Sequence, residues 1–469
     1  MSVGEGLSRL AGSLRVRPAQ QPALLGGRPP LAGRLLRGQP AEAAVRHLPL
    51  IYSLCGQAHR LTAELALQAA IQGGGEPDDQ ARQRLREENI REHLRHILLD
   101  WPRLLAGPQS GVKLLSPRPA QNLDSWFDGS AQDWLQRWHT DPRKALLEWS
   151  LHSHHPLARL LHDCRRRAEA LVLSAQALPT TPASLLEIGR SLGGEEDFLR
   201  RPELCGEPRE TGAWTRGRET RPERYDTAWL RLGARLADLV ELSQAPAAPL
   251  EMGALALGES QALAWSETAR GLLLHRVRLE PAPGGWKICD YRILAPTEWN
   301  LHPRGTLARA LETLPTMPWQ HARRNCCWRY SILAFPTDWK VPCSPQSIPQ
   351  ERCTMHEVSL AGGILAAVDD AARKDPFRRV SRLRLEAGKL AGVEVESLRF
   401  ALEAIAPGSL LEGAQIEIEQ PDGQAWCLDC ATNVPLVQRG APCPQCGGFW
   451  LQPNAGTQLR ILDLQVEDH

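Results

Sequence analysis

The sequence predicts a multidomain chain: a mostly α-helical N-terminal part, then a small α/β domain with an inserted four-cysteine ribbon. Three observations predict it. Apolar residues recur at spacings of three and four in stretches between about 45 and about 315. After Met355, two helical stripes are interspersed with at least three segments of apolar–polar alternation. Within that second region two Cys-x2-Cys pairs stand twelve residues apart.

A chain of 469 residues can bury more than one core. Lys and Arg total 55 against 54 Asp and Glu, a formal net charge of +1, so no long-range field draws nucleic acid or an anionic membrane. No apolar run approaches the roughly 20 residues that span a bilayer. Pro and Gly interrupt the Arg-containing first 30 residues before a signal-peptide core could form. These features read as a soluble cytoplasmic protein without a membrane span. Its twelve cysteines should then be mostly reduced, and their spacing carries the information.

Residues 1 to about 45 are rich in Arg, Gly and Pro and lack a clear period. From 81 to 105, Leu85, Leu94, Ile97, Leu98 and Trp101 fall largely along one helical face. Trp229, Leu232, Leu236, Leu239 and Val240 make a second stripe. Pro- and Gly-rich segments near 106–125 and 203–225 read as long loops. Residues 316–354 crowd Trp319, Trp328, Trp339, Cys326, Cys327, Cys343 and Cys353 together without a period, and read as an irregular linker.

Regular patterning returns after Met355. Val358, Ala361, Ile364, Leu365, Val368 and Ala372 predict an amphipathic helix ending before Pro376. Leu383 and Leu385 alternate with Arg382, Arg384 and Glu386 in a half-buried strand. Val395, Leu398, Leu402 and Ile405 form a second helix face. Ile416 and Ile418 lie in another strand, and Leu462, Leu464 and Val466 in a last one. Two helices and at least three strands in about 115 residues make a small α/β domain.

Cys427-x2-Cys430 and Cys443-x2-Cys446 carry the strongest chemical signal. Two intervening residues let both sulfurs of a turn point at one centre, and two such turns supply the four thiolates of a tetrahedral zinc site. Four protein ligands leave no open position, so this zinc is expected to be structural. Gly447 and Gly448 give the second turn the backbone freedom of a tight knuckle. The other readings of four cysteines are two disulfides, a redox pair, or iron in the same S4 geometry. A zinc ribbon also occurs in nucleic-acid- or protein-binding modules, but between Cys427 and Cys446 only Arg439 is cationic, too little for a phosphate-binding surface.

The run Met355-His356-Glu357-Val358-Ser359-Leu360 closely resembles the start of the HypA family of nickel metallochaperones. The resemblance continues through helix, strand, helix, strand, paired Cys-x2-Cys ribbon and closing strand, over all of 355–469. It implies Ni(2+) at the Met-His-Glu start, with His356 a ligand and Glu357 supporting it, and Zn(2+) on Cys427, Cys430, Cys443 and Cys446. It also implies delivery of nickel to the precursor of the [NiFe]-hydrogenase large subunit, in company with a HypB-type GTPase and other Hyp maturation proteins. Nickel(II) favours square-planar nitrogen donors, which an imidazole and nearby backbone nitrogens can supply. In the family the terminal amine is an extra donor. Here Met355 is internal, so that nitrogen belongs to a peptide bond.

The N-terminal part resembles [NiFe]-hydrogenase large subunits, and most of all the large-subunit-like accessory protein HupK. Leu54-Cys55-Gly56 with His59, then Arg270-Gly271-Leu272-Leu273-Leu274-His275, then Tyr291, Pro296-Thr297-Glu298-Trp299-Asn300 and Pro303-Arg304 match three of the motifs in order, from about 30 to 315. The catalytic subunit itself needs two Cys-x2-Cys pairs around nickel and iron. Cys55 has no partner three residues away, and no Asp-Pro-Cys-x2-Cys follows Asn300. The ligand cage of a hydrogenase-type redox enzyme is missing, so an assembly scaffold is expected and not an enzyme.

Cys55 and His59 suit a metal by residue type; the favoured reading is a buried Cys at a helix entry with His59 hydrogen-bonded nearby. His152, His154, His155, His162 and Cys164 are read as a solvated helical face in preference to a metal site. Cys164, Cys205 and Cys289 are read as ordinary thiols.

The expected organisation is 1–315, a linker at 316–354, and 355–469 with the ribbon at about 425–450. Two origins fit the joint: a frameshift that fuses two adjacent genes, with Gln350-Glu351-Arg352 encoded by a purine-rich run before the usual start Met355, or a true fusion of scaffold and nickel donor.

Overall fold

The computed structural model describes residues 13–27, 31–52, 55–105, 123–314, 352–353 and 356–467, apart from 175, 195, 218, 245–248, 392, 394, 438–440 and 449–450. The first part is built on helices α1 (Ala43–Ile51), α2 (Gly56–Gln72), α3 (Asp79–Arg95), α4 (Ala131–Thr140), α5 (Pro142–His152), α6 (Pro156–Glu169), α7 (Pro182–Gly194) and α8 (Ala228–Ser243). Side-chain caps start several of them: Asp78, Ser130, Asp141 and Thr227 each accept a backbone N–H of the first turn. Gly73, at φ 83°, closes α2 in the left-handed region that only glycine enters without cost.

The predicted stripe over 81–105 is interrupted. Helix α3 passes into a π-turn at His96–Asp100 before helix resumes at Trp101–Leu105. The wider turn keeps Ile97, Leu98 and Trp101 all buried. Helix α8 is buried on every side and forms the axis of a core that includes Trp101, Trp134, Trp138, Trp214 and Trp229. Aromatic side chains of this size bury about 150–250 Å² each, a gross gain of roughly 4–6 kcal/mol per ring.

Periodicity missed a four-stranded antiparallel meander: β1 (Met252–Gly258), β2 (Gln261–Thr268), β3 (Gly271–Ala282) and β4 (Gly285–Leu294), in that spatial order. Its central strands are covered on both faces, by α2 on one side and α7 on the other. Residues 271–277 are therefore buried without alternation, and the period-two signal vanishes.

The second region folds much as its patterns predict. Helices α9 (His356–Lys374) and α10 (Val395–Ile405) pack together beside a sheet whose centre is β5 (Arg379–Ala387). Strand β6 (Gln415–Glu419) pairs parallel with β5, and the last strand, Leu459–Glu467, pairs antiparallel on its other side. A bulge opposite Arg384 and Leu385 shifts the register of that last strand. Leu459, Ile461 and Leu464 consequently pack on the core, while Val466 is 37% exposed. The alternation read at Leu462, Leu464 and Val466 holds only on one side of the bulge.

The ribbon is inserted between those strands as β7 (Gln424–Cys427), β8 (Thr432–Pro435) and β9 (Leu451–Ala455), so the closing strand is β10. Where ribbon meets sheet, Gly388 lies backbone to backbone against Gly456, which itself sits at φ 73°. Neither position has room for a Cβ. Helix α10 contacts α1, with the rings of Phe400 and His47 5.0 Å apart.

The expected linker 316–354 lies outside the described residues except for Arg352–Cys353, which pairs with Leu14 and Arg15. Among the described residues no helix is long and apolar enough to cross a membrane.

Candidate metal centre and the buried polar core

Two tight turns present the four cysteine sulfurs. The first follows β7, and Ala431 behind it is held at φ 52°. The second ends at Gly447, at φ 70°, whose N–H donates to the Cys443 carbonyl at 2.9 Å. The left-handed residue stands directly after each second cysteine. Glycine adopts it freely, whereas alanine carries a cost of about 1–2 kcal/mol. Backbone N–H groups then point at sulfur: Cys430 donates to Cys427 Sγ, and Gly448 to Cys446 Sγ, both at 3.4 Å.

The Sγ atoms of Cys427, Cys430, Cys443 and Cys446 all lie within 4.8 Å of one another. Cys427 is 3.8 Å from Cys446, and Cys430 is 3.9 Å from Cys443. A regular tetrahedron with metal–sulfur bonds of about 2.3 Å has edges of about 3.8 Å. Backbone N–H groups of Cys446 and Gln445 lower the Cys443 thiol to about 7. It is the only such cluster of His, Cys, Asp and Glu among the described residues. His356 and Glu357 open helix α9, and their side chains fall outside what is described.

In the first part, tertiary packing collects the three sequence motifs. Cys55 is the residue before α2, and His59 projects from the first turn of that helix. His59 Nδ1 is 3.0 Å from His275 Nε2, and His275 Nδ1 is 2.8 Å from the Tyr291 hydroxyl. Tyr52 stacks on His59 with ring centroids 3.9 Å apart. Arg270 bridges Cys55 Sγ at 3.8 Å and Glu92 at 2.8 Å. Asn300 exchanges two hydrogen bonds with the backbone of Thr211, whose hydroxyl accepts the Leu272 N–H. Of the favoured reading, His59 is hydrogen-bonded as expected, whereas Cys55 is half-buried where a buried thiol was expected.

Several residues escaped the sequence reading. Glu88 caps α2 by accepting from Gln57 and Ala58 at 2.8 and 2.9 Å. Burial raises the Glu92 pKa, but Arg270 and Arg95 overcome that and hold it well below the carboxylate range. His93 Nε2 and Arg216 Nη2 both bond Asp238 Oδ2, at 2.7 and 2.6 Å. The middle of the loop 203–225, from Glu210 to Arg216, is buried, because it carries Glu210, Thr211 and Arg216 into this core. A signal existed: Glu88 and Glu92, like Asn89 and His93, are four apart beside Leu85, so a polar stripe flanks the apolar one.

Of the histidine-rich segment, His152 and His154 are exposed, while His155 accepts the Leu157 N–H and stacks on Trp126. Cys164 is buried beneath this face, which pushes its thiol up to about 12.

Burial holds His275 down to about 3, and His96 to about 4 with Arg235 adding to the effect, against the usual 6.5. Both are neutral when folded and take up a proton on unfolding below about 6.5. Their contribution to stability is complete above that pH and is lost as pH falls toward their folded values. Each accounts for about 1.4 kcal/mol per pH unit inside that window. Urea unfolding followed by tryptophan emission is expected to show a lower midpoint at pH 5.5 than at pH 7.5. An unchanged midpoint contradicts burial of these rings as neutral species.

Comparison with known proteins gives two separate matches. The family described as "Hydrogenase/urease nickel incorporation, metallochaperone, hypA" matches residues 355–466. Hydrogenase maturation factor HypA of Cupriavidus necator is 68% identical over 115 residues, 24% of this chain and 97% of that protein. Hydrogenase expression/formation protein HoxV of the same organism is 40% identical over 372 residues, 72% of this chain and 95% of that protein. Among solved structures, an NAD+-reducing [NiFe]-hydrogenase aligns over 70% of this chain and 96% of its own at 16% identity and a TM-score of 0.39, too slight a likeness to argue from.

Proposed function

From the premise that this chain belongs to two hydrogenase-maturation families, HypA in its C-terminal domain and that of HoxV in its N-terminal part, we propose that it binds nickel and delivers it to the precursor of a [NiFe]-hydrogenase large subunit. Its relatives are maturation factors and metallochaperones, and the chain is an accessory factor of hydrogenase maturation, not an enzyme. The observation that carries the proposal is the HypA match beginning at Met355, in a domain that also holds the four-cysteine cluster.

In this reading His356 is a nickel ligand and Glu357 supports it, while Cys427, Cys430, Cys443 and Cys446 hold zinc. The zinc assignment rests on sulfur spacings close to a tetrahedral edge and on four cysteine donors, which fill the coordination of a tetrahedral zinc. The N-terminal part, about 1–315, is the assembly scaffold, 316–354 the linker and 355–469 the nickel-handling domain. A HypB-type GTPase and the other Hyp proteins are the expected partners.

Equilibrium dialysis of the full chain against Ni(II), with metals counted by mass spectrometry, tests this. His356→Ala is expected to lower nickel affinity at least about tenfold, roughly 1.4 kcal/mol, with zinc content unchanged. Equal nickel binding by the variant removes His356 from the site.

A further inference from the structure

The face of the meander opposite α2 carries a charge arrangement for which nickel handling has no use. On neighbouring strands Arg276 stands directly opposite Arg292, and Arg278 opposite Asp290. Like charges paired across strands are destabilising. Asp290 relieves this by accepting from Arg276 at 3.2 Å and Arg292 at 2.9 Å, with Arg37 3.9 Å away. Arg278 is the fourth guanidinium at the same opening. Glu280, the next acid along β3, pairs with Lys287 at 4.0 Å. Among the described residues that line the opening, four guanidiniums therefore face one carboxylate, leaving three positive charges in excess.

These side chains and Gln261 line an open cavity of about 530 Å³ at the end of α7. Gly193 permits the approach, since a Cβ there would lie 2.7 Å from Arg276 Nη2. The Arg276 side chain is only 9% exposed. Its Nε and the Nη1 of Arg292 are buried donors with no acceptor among the described residues. Leaving such donors unmet is costly, the more so where the group is charged. Burial lowers the Arg276 pKa, Asp290 opposes that, and Arg292 and Arg278 press it down further.

We propose that this cavity binds a multiply charged oxyanion of the phosphate class, with Arg276 and Arg292 as the inner donors and Arg37 and Arg278 at the mouth. The planar guanidinium fork matches phosphate oxygens in pairs, and an anion of charge −2 or more offsets the excess that Asp290 leaves. The volume admits pyrophosphate and also the phosphates of a nucleotide.

Calorimetric titration of the full chain with inorganic phosphate, pyrophosphate and ADP, at fixed ionic strength, tests the site. Pyrophosphate is expected to bind saturably and more tightly than phosphate. Arg278→Gln and Arg37→Gln alter exposed side chains, so folding is retained, and each is expected to weaken pyrophosphate at least about fivefold; Arg292→Gln should abolish it. Tighter binding of ADP assigns the ligand to nucleotides, and equal or weaker binding assigns it to the bare oxyanion. No saturable binding of any of the three, or undiminished affinity in all the variants, overturns the proposal.

Discussion

Cys430→Ser is expected to empty the four-cysteine site and unfold the ribbon while leaving the N-terminal core folded. The reason is the size of what remains. Apart from its sulfurs, the described residues of the ribbon bury little: Val434 with the partly buried Leu451 on one side, and Ala425 and Leu436 against Leu390 on the other. Burial on that scale cannot offset the entropy of ordering three strands. Structural zinc contributes an apparent 10–16 kcal/mol or so at neutral pH in small zinc domains, which makes metal binding and folding one event. Zinc content should fall from near stoichiometric to below about a tenth, and the segment from Gln424 to Ala455 should become the first site of proteolysis. Unchanged zinc content in the variant would refute the assignment of these thiolates.

Asp238→Ala should be the most damaging single change in the first part. Asp238 is 1% exposed and is held by Arg216 through two hydrogen bonds and by His93 through one. Arg216 in turn reaches the Thr268 carbonyl at 2.8 Å and Asn89 at 3.3 Å, tying the loop before α8 to the sheet and to α3. Removing the carboxylate strands a buried guanidinium, which typically costs about 3–5 kcal/mol. For a domain of this size that lowers Tm by roughly 10 °C. Asp238→Asn keeps an acceptor for Arg216 and should lose less. A Tm shift in Asp238→Ala below about 2 °C would show that the network is not what joins these elements.

The reach of the sequence differs between the two parts for a physical reason. From Val358 onward each helix and strand of the α/β domain has one face on a core and one toward water, so its period is written in the residues. The paired cysteines sit close in sequence, and their spacing alone implies a shared centre. The first part is larger and more deeply packed. Helix α8 is buried all round and β3 on both faces, so Arg231 and Asp238 read as breaks in an apolar stripe when they are partners in ion pairs and hydrogen bonds.

The sequence by itself determined the two-part organisation, the four sulfur donors and the order of the three N-terminal motifs. Only tertiary structure decided that Cys55, Arg270 and Glu92 meet, that His59, His275 and Tyr291 form one hydrogen-bonded row, and that four arginines share a cavity. Those contacts join residues up to 216 positions apart. Local propensity and spacing are silent at that range, because such pairs form only when burial of whole helices and strands brings them together.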